Sequence, residues 1–315
     1  MMNAGAAPAI EAADLVRRYG ATSAVDGLSL SVGEGEFFGL LGPNGSGKTT
    51  TIHMLATLVR PSGGTARVAG FDVMSAPVKV RSQIGLVFQD SALDRSLSVA
   101  ENLRFAGMLY GLPRREIEHR GKALLDLFGI GDRFDAPVAS LSGGQRRALD
   151  IIRGVIHEPR ILFLDEPTIG LDIPVRRRIW RFIDGLRKRN HMTVLLTTHY
   201  LEEADACDRV AFIRKGRLVE QGTPRALVEA LGRHIVEFES ERIDELLERV
   251  LPVLGAGLKE GSTALFRYAN EDTIALAQLQ DKIAPLASAM RIRRPNLNDV
   301  FLWVHAGEQI SVAAR

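Results

Sequence analysis

Apolar positions along the chain come in two patterns, short continuous runs and helix-spaced sets, and their alternation predicts a layered α/β fold. From Ile10 to Val32, alternating segments broken by Gly20, Gly27 and Gly33 read as strands and turns. Phe37-Phe38-Gly39-Leu40-Leu41 is an unbroken apolar run ending at Gly42, as in a strand buried on both faces. Ile52, Leu55, Leu58 and Val59 predict a helix over 49–59, stopped by Pro61 and Gly63-Gly64. From about 90 to 155 the spacing is helical, over 100–110, 114–128 and 145–157. Buried-strand runs return at 161–164 and 193–197, with a helix over 175–189 between them. This predicts a parallel sheet with helices on its faces and a helical insertion. Beyond about 232 the pattern restarts, with strands at 234–238, 263–268 and 290–293 and helices at 243–251, 273–284 and 297–304. The expected organisation is a disordered leader over 1–8, a main domain over 9–231, a small mixed domain over 232–307 and a tail over 308–315.

Composition narrows the class. With 315 residues, 46% hydrophobic and 25% charged, the chain is ordinary globular protein of about two domains. Forty basic against 38 acidic side chains leave a net charge of +2, which argues against a nucleic-acid partner. The single cysteine, Cys207, excludes a disulfide framework and fits a reducing compartment. No apolar stretch has the 18 or so residues that a membrane span needs, and the first ten residues lack the basic start of a secretory signal. Any link to a membrane is therefore expected to be peripheral or through a partner.

Three motifs carry chemistry. Gly42-Pro43-Asn44-Gly45-Ser46-Gly47-Lys48-Thr49, followed by Thr50, matches the phosphate loop between a buried strand and a helix. Its glycines let successive N–H groups face phosphate oxygens, Lys48 reaches the outer phosphates, and the Thr49 hydroxyl suits Mg²⁺. Ile161-Leu162-Phe163-Leu164-Asp165-Glu166 places two acids at a strand's carboxyl end, where ligands of open α/β sheets bind. There Asp165 is a candidate for the Mg²⁺ complex and Glu166 for orienting or deprotonating water. Ser142-Gly143-Gly144-Gln145 opens an Arg-rich helix with an N-cap serine, a second place able to grip phosphate.

In this order and spacing the motifs resemble the ATP-binding-cassette (ABC) family. Gln89 in Val87-Phe88-Gln89 is similar to the family's Gln loop, and His199 in Thr197-Thr198-His199 to its switch histidine. Gly170-Leu171-Asp172 resembles the D-loop, and Tyr19 the aromatic that stacks on adenine. The resemblance covers about 10–230. It implies a P-loop NTPase cassette with N-terminal antiparallel strands, ATP with Mg²⁺ held by Thr49, Gln89 and Asp165, and catalysis by Lys48, Glu166 and His199. It also implies a head-to-tail homodimer in which Ser142, Gly143, Gly144 and Gln145 reach the partner copy's nucleotide. Gln89 and Asp172 would couple the subunits to a separate integral-membrane permease at the cytoplasmic face of the inner membrane.

Arg294-Pro295-Asn296-Leu297-Asn298-Asp299-Val300-Phe301-Leu302 is similar to the ending of antibiotic-resistance and nodulation-type ABC exporters, as is Ser91 to Leu103 after the Gln loop. This favours an exporter of a drug, lipid or glycolipid-like solute. An importer ATPase, a ribosome- or DNA-directed ABC ATPase, and a nucleotide-holding module without hydrolysis are the competing readings. One cassette, no sustained heptads and little net charge weigh against the ribosome or DNA reading. The presence of both Glu166 and His199 weighs against a non-hydrolysing one. Ile169 and Ile173 depart from the residues usual around the D-loop. Taken singly, Gln89, His199 and Tyr19 have plain structural readings, Cys207 reads as an inert buried thiol, and Trp180 and Trp303 as packing. The basic run from Arg176 to Arg189 reads as a solvated face.

Overall fold

The computed structural model describes residues 7–269, 274–305 and 309–310. The chain divides into two compact units, Met1–Val219 and Glu220–Arg315. Along the first run β1 (Ile10–Tyr19), β2 (Thr22–Val32), β3 (Phe37–Leu41), α1 (Lys48–Leu55), β4 (Gly63–Val68), β5 (Phe71–Asp72), α2 (Pro77–Gln83) and β6 (Ile84–Val87). Then come α3 (Val99–Leu109), α4 (Arg114–Phe128), α5 (Gly143–Val155), β7 (Ile161–Asp165), α6 (Ile173–Asn190), β8 (Thr193–Thr198), α7 (Leu201–Ala204), β9 (Arg209–Arg214) and β10 (Arg217–Gly222), whose end crosses the division.

A six-stranded sheet has the order β10-β9-β3-β8-β7-β6. From β9 to β6 its pairings are all parallel. Strands β3, β7 and β8 are buried at every position, which is why their sequences are unbroken apolar runs. A second, antiparallel sheet of order β2-β1-β4-β5 shares a core with it that includes Ile10, Leu28, Phe38, Ile52, Phe163 and Leu195. The strand register places Leu41 opposite Thr198 and Asp165 opposite Thr197. The carboxyl ends of three neighbouring strands therefore lie side by side, and each continues into one of the motifs.

The second unit contains α8 (Pro224–Glu229), β11 (His234–Glu239), α9 (Ile243–Leu254), β12 (Gly257–Glu260), β13 (Thr263–Tyr268), α10 (Ile274–Ile283), β14 (Ala289–Arg293), α11 (Leu297–His305) and β15 (Gln309–Ile310). Its five strands form one sheet of order β14-β11-β13-β12-β15. Leu246, Val250, Leu279 and Ile283 of α9 and α10 cover Val236, Phe238 and Phe266. Leu302 and Trp303 of α11 pack on Ile235, Leu258 and Leu265, which belong to the alternate positions of the strands.

Several expectations change. The first helix ends at Leu55, because Thr57 turns left-handed (φ 63°), so Leu58 and Val59 lie past it. Gly63-Gly64 does more than stop that helix, since it begins β4. At Gly64 (φ 77°) an added Cβ would lie 2.2 Å from the Asp14 carbonyl oxygen, so only glycine permits the approach to β1. The units part near 220 rather than 231, because α8 packs with α11 of the second unit. Gln309–Ile310, expected in a tail, pairs with β12. Most of the expected leader, residues 1–6, lies outside the described residues, as do 270–273, 306–308 and 311–315.

Candidate functional site

The phosphate loop spans the gap from β3 to α1. At Gly47 (φ 106°) an added Cβ would lie 2.4 Å from the Ala24 carbonyl oxygen, so a side chain there would push the loop off β2. The loop borders a cavity of about 320 Å³ lined by Asn44, Gly45, Gly47, Lys48, Thr49 and Thr50 together with Ala24, Gln89, Glu166 and Ile169. Helix α1 starts at Lys48, so the positive end of its dipole points at the cavity.

Lys48 is buried, and its Nζ donates to the carbonyls of Gly42 (2.8 Å) and Pro43 (3.1 Å). Its ammonium lies 3.6 Å from Glu166 Oε1. Burial holds its pKa below the usual lysine value, while Glu166 and Asp165 oppose that shift. Glu166 (φ 44°) is almost fully buried, with its amide hydrogen bonded to Thr197. Its Oε2 is 3.1 Å from His199 Nδ1. Lysine, carboxylate and imidazole thus form a chain at the cavity wall, an arrangement able to hold water and accept its proton.

Asp165 accepts from the hydroxyls of Thr49 (3.0 Å) and Thr197 (2.5 Å). Among the described residues no three His, Cys, Asp or Glu side chains converge on one point. Two hard oxygens and no closed protein cage suit Mg²⁺, which takes the rest of its shell from water and phosphate oxygens.

The structure brings Asn44, Gly45, Gly47, Lys48, Thr49, Thr50, Gln89 and Glu166 to one cavity, with Asp165 and His199 bonded to its lining. Tyr19 is not part of that lining. It is half-exposed, with the Arg17 guanidinium 4.4 Å from its ring centre, so Tyr19 is not a core residue. Ser142 caps α5 by accepting from the Gln145 amide, while the Gln145 side chain accepts from the Ser142 amide. Ser142, Gly143, Gly144 and Gln145 lie outside the lining of this cavity. Asp172 caps α6 by accepting from the Val175 amide.

Sequence reasoning missed two buried charged groups. Glu203 accepts from the hydroxyls of Thr168 and Thr198 and from Trp180 Nε1, tying the segments after β7 and β8 together. Arg147 of α5 is enclosed by main-chain carbonyls beside Gln89 and Glu166. No sequence pattern marked them, because their partners come from segments distant along the chain. The basic run on α6 is not uniformly solvated either. Arg187 pairs with Asp208 at 2.6 Å, and Arg176 lies over the Tyr200 ring. Cys207 is buried and its thiol pKa is pushed up by burial, as expected of an inert group.

A family profile described as "ABC transporter" matches residues 25–169. The chain is 47% identical over 236 residues to a daunorubicin/doxorubicin resistance ATP-binding protein, DrrA, of Streptomyces peucetius, covering 75% of this chain and 71% of that protein. It is 39% identical over 303 residues to a Nod factor export ATP-binding protein I of Ralstonia nicotianae, covering 95% of this chain and 94% of that one. A dimeric post-hydrolysis structure of the cassette MJ0796 with ADP and Pi superposes with a TM-score of 0.63 at 25% identity, covering 68% of this chain and 98% of that one. With the phosphate loop, Asp165, Glu166 and His199 assembled at the carboxyl ends of three neighbouring strands, the chain belongs to the ATP-binding cassettes of the ABC transporter family, which are ATPases.

Proposed function

We propose that this chain is the ATP-hydrolysing subunit of an ABC exporter, driving a separate permease from the cytoplasmic face of the inner membrane. The observation that carries the reading is the Lys48–Glu166–His199 chain at the wall of the phosphate-loop cavity. In it, Glu166 accepts a proton from water as the water oxygen bonds to the γ-phosphorus and the bridging bond to the β-phosphate breaks. His199 holds Glu166 in place from Oε2, and Lys48 moves from the loop carbonyls to the γ-phosphate oxygens. Thr49 and Asp165, with Gln89 at the cavity edge, would hold Mg²⁺, which when bound offsets phosphate charge. Tyr19 is the proposed adenine platform.

Head-to-tail pairing with a second copy places Ser142, Gly143, Gly144 and Gln145 on the partner's nucleotide, with Asp172 at the junction. The first unit is then the cassette and the second an accessory domain. Beside Gln89, Leu58, Phe88, Phe105, Leu109 and Tyr110 line an apolar groove of about 210 Å³, suited to an amphipathic segment of the permease. Among the described residues no helix is long and apolar enough to cross a membrane, which is consistent with a separate permease. Export is supported by the drug-resistance and Nod-factor-export relatives. A drug, lipid or glycolipid-like solute is the cargo class.

The test is Glu166→Gln. It is expected to keep MgATP binding and lose steady-state hydrolysis by at least ~10²-fold, the scale of a positioned general base. Purified with MgATP from gently solubilised native membranes, it should carry a polytopic membrane protein that lacks its own cassette. Normal turnover by this variant would overturn the role of Glu166. Ribosomal or DNA-processing proteins in place of the permease would overturn the transporter reading.

A further inference from the structure

Arg147 sits five residues into the helix that Ser142 caps, roughly 7 Å along its axis. It is 7% exposed, and its guanidinium meets no side-chain carboxylate at ion-pair distance among the described residues. It meets five main-chain carbonyls instead. Nη1 donates to Phe88 at 2.6 Å and to Gln89 at 3.4 Å. Nη2 donates to Asp165 at 3.4 Å and Glu166 at 3.3 Å, and Nε donates to Pro167. The planar guanidinium spreads five N–H donors over two edges and so spans both chain segments, whereas a lysine ammonium offers three donors at one point, too few for the five carbonyls.

The same stripe of α5 adds two further grips on the segment after Gln89. Asp150 accepts from the Ala92 amide at 3.2 Å, and Arg153 donates to the Ala92 carbonyl. Positions 147, 150 and 153 therefore fasten 88–92 along one helix face. Arg147 alone also holds the turn carrying Asp165 and Glu166.

We infer that Arg147 is a positioning residue that locks the Ser142 helix, the Gln89 segment and the Asp165–Pro167 turn into one body. A shift of the helix's N-terminus is then passed to Glu166 and Gln89 together. This rests on the proposed function, in which Ser142 to Gly144 contact the partner copy's nucleotide. Contact there draws α5, and Arg147 carries the displacement to the carbonyl of Glu166, setting how its carboxylate meets the attacking water. Arg147 touches neither nucleotide nor water in this scheme, so its loss acts on turnover and spares substrate affinity.

The experiment compares full-length wild type, Arg147→Lys and Arg147→Met for MgATP hydrolysis. Amide hydrogen exchange over 88–92 and 165–168 is followed in each. Arg147→Lys keeps the charge and reaches only one of the two segments. It is expected to lower kcat at least about tenfold, with the KM for ATP within about threefold of wild type, because the lost interaction acts on the transition state alone. Exchange should quicken in one or both segments, and Arg147→Met should quicken it in both. Wild-type kcat in Arg147→Lys with loosened segments would overturn the inference. So would parallel loss of ATP binding and turnover, which marks a merely structural arginine. A wild-type chain that binds but does not hydrolyse MgATP would instead overturn the functional reading, and this inference with it.

Discussion

His157, two residues past the end of α5, has its ring stacked on Tyr110, the two centres 3.5 Å apart and their planes 6° from parallel. Its Nε2 lies 3.0 Å from the Ile84 carbonyl oxygen, so the neutral ring donates there, and Nδ1 is buried without a partner. Burial, with help from the Arg120 charge, lowers its pKa from 6.5 to about 4. The unfolded chain therefore binds this proton first as pH falls. The stability owed to the neutral ring is complete above pH 6.5 and is lost as pH falls toward 4, by at most about 3 kcal/mol. Urea unfolding of wild type between pH 7 and pH 4.5 should show that decline. His157→Phe keeps a ring against Tyr110 but leaves the Ile84 carbonyl unbonded. It should start about 1 kcal/mol lower at pH 7 and lose less on acidification. An unchanged slope in the variant would show that His157 stays neutral in neither state, or in both.

The helix α11 shows what an exporter-like tail motif does physically. Asp299, fully buried, receives two 2.7 Å bonds from the Arg293 guanidinium and one of 2.8 Å from the Asn296 amide. Asn296 in turn accepts from the amides of Asn298 and Asp299, so the motif caps α11 and pins it to β14. Asp299→Ala leaves the partly exposed Arg293 with Glu237 alone and unties the Asn296 amide, and should cost about 1–2 kcal/mol, read as a lower denaturation midpoint for the second unit. MgATP affinity should not move, since no residue of the phosphate-loop cavity lies in that unit. Full stability would show that the pair contributes nothing. The motif was legible in the sequence, but its structural work was not, because Arg293 and Asp299 become partners only once β14 and α11 are placed. The same reason hid Arg147, whose partners are carbonyls of distant segments and leave no side-chain signature. Buried strands such as β3 and β7 were legible from their apolar runs. Strands β4 and β10, mostly exposed and of mixed polarity, gave no such pattern. Phosphate-loop chemistry was readable because its residues are contiguous, whereas Tyr19 needed the fold to show which surface it faces.

At the scale of the molecule, the proposed pairing with a second copy turns on the helix N-terminus at Ser142. Ser142 and its neighbours stand outside the cavity that Lys48 and Glu166 line, yet they present a capped helix N-terminus. If the nucleotide they meet belongs to a second copy, damage there must spare ATP binding by the monomer and block only assembly. Gly143 is the place to test this. A Cβ added to it meets nothing within 4 Å, so a substitution is tolerated by the chain itself. Gly143→Asp puts a carboxylate in the first turn of α5, which suits the helix dipole by a few tenths of a kcal/mol while repelling an approaching phosphate. In a Glu166→Gln background, MgATP should convert the chain from monomer to dimer in light scattering. Adding Gly143→Asp should abolish that conversion and leave the ATP affinity of the monomer unaltered. A weakened monomer affinity would place Ser142 to Gln145 on the chain's own nucleotide, and an undisturbed dimer would remove them from the interface.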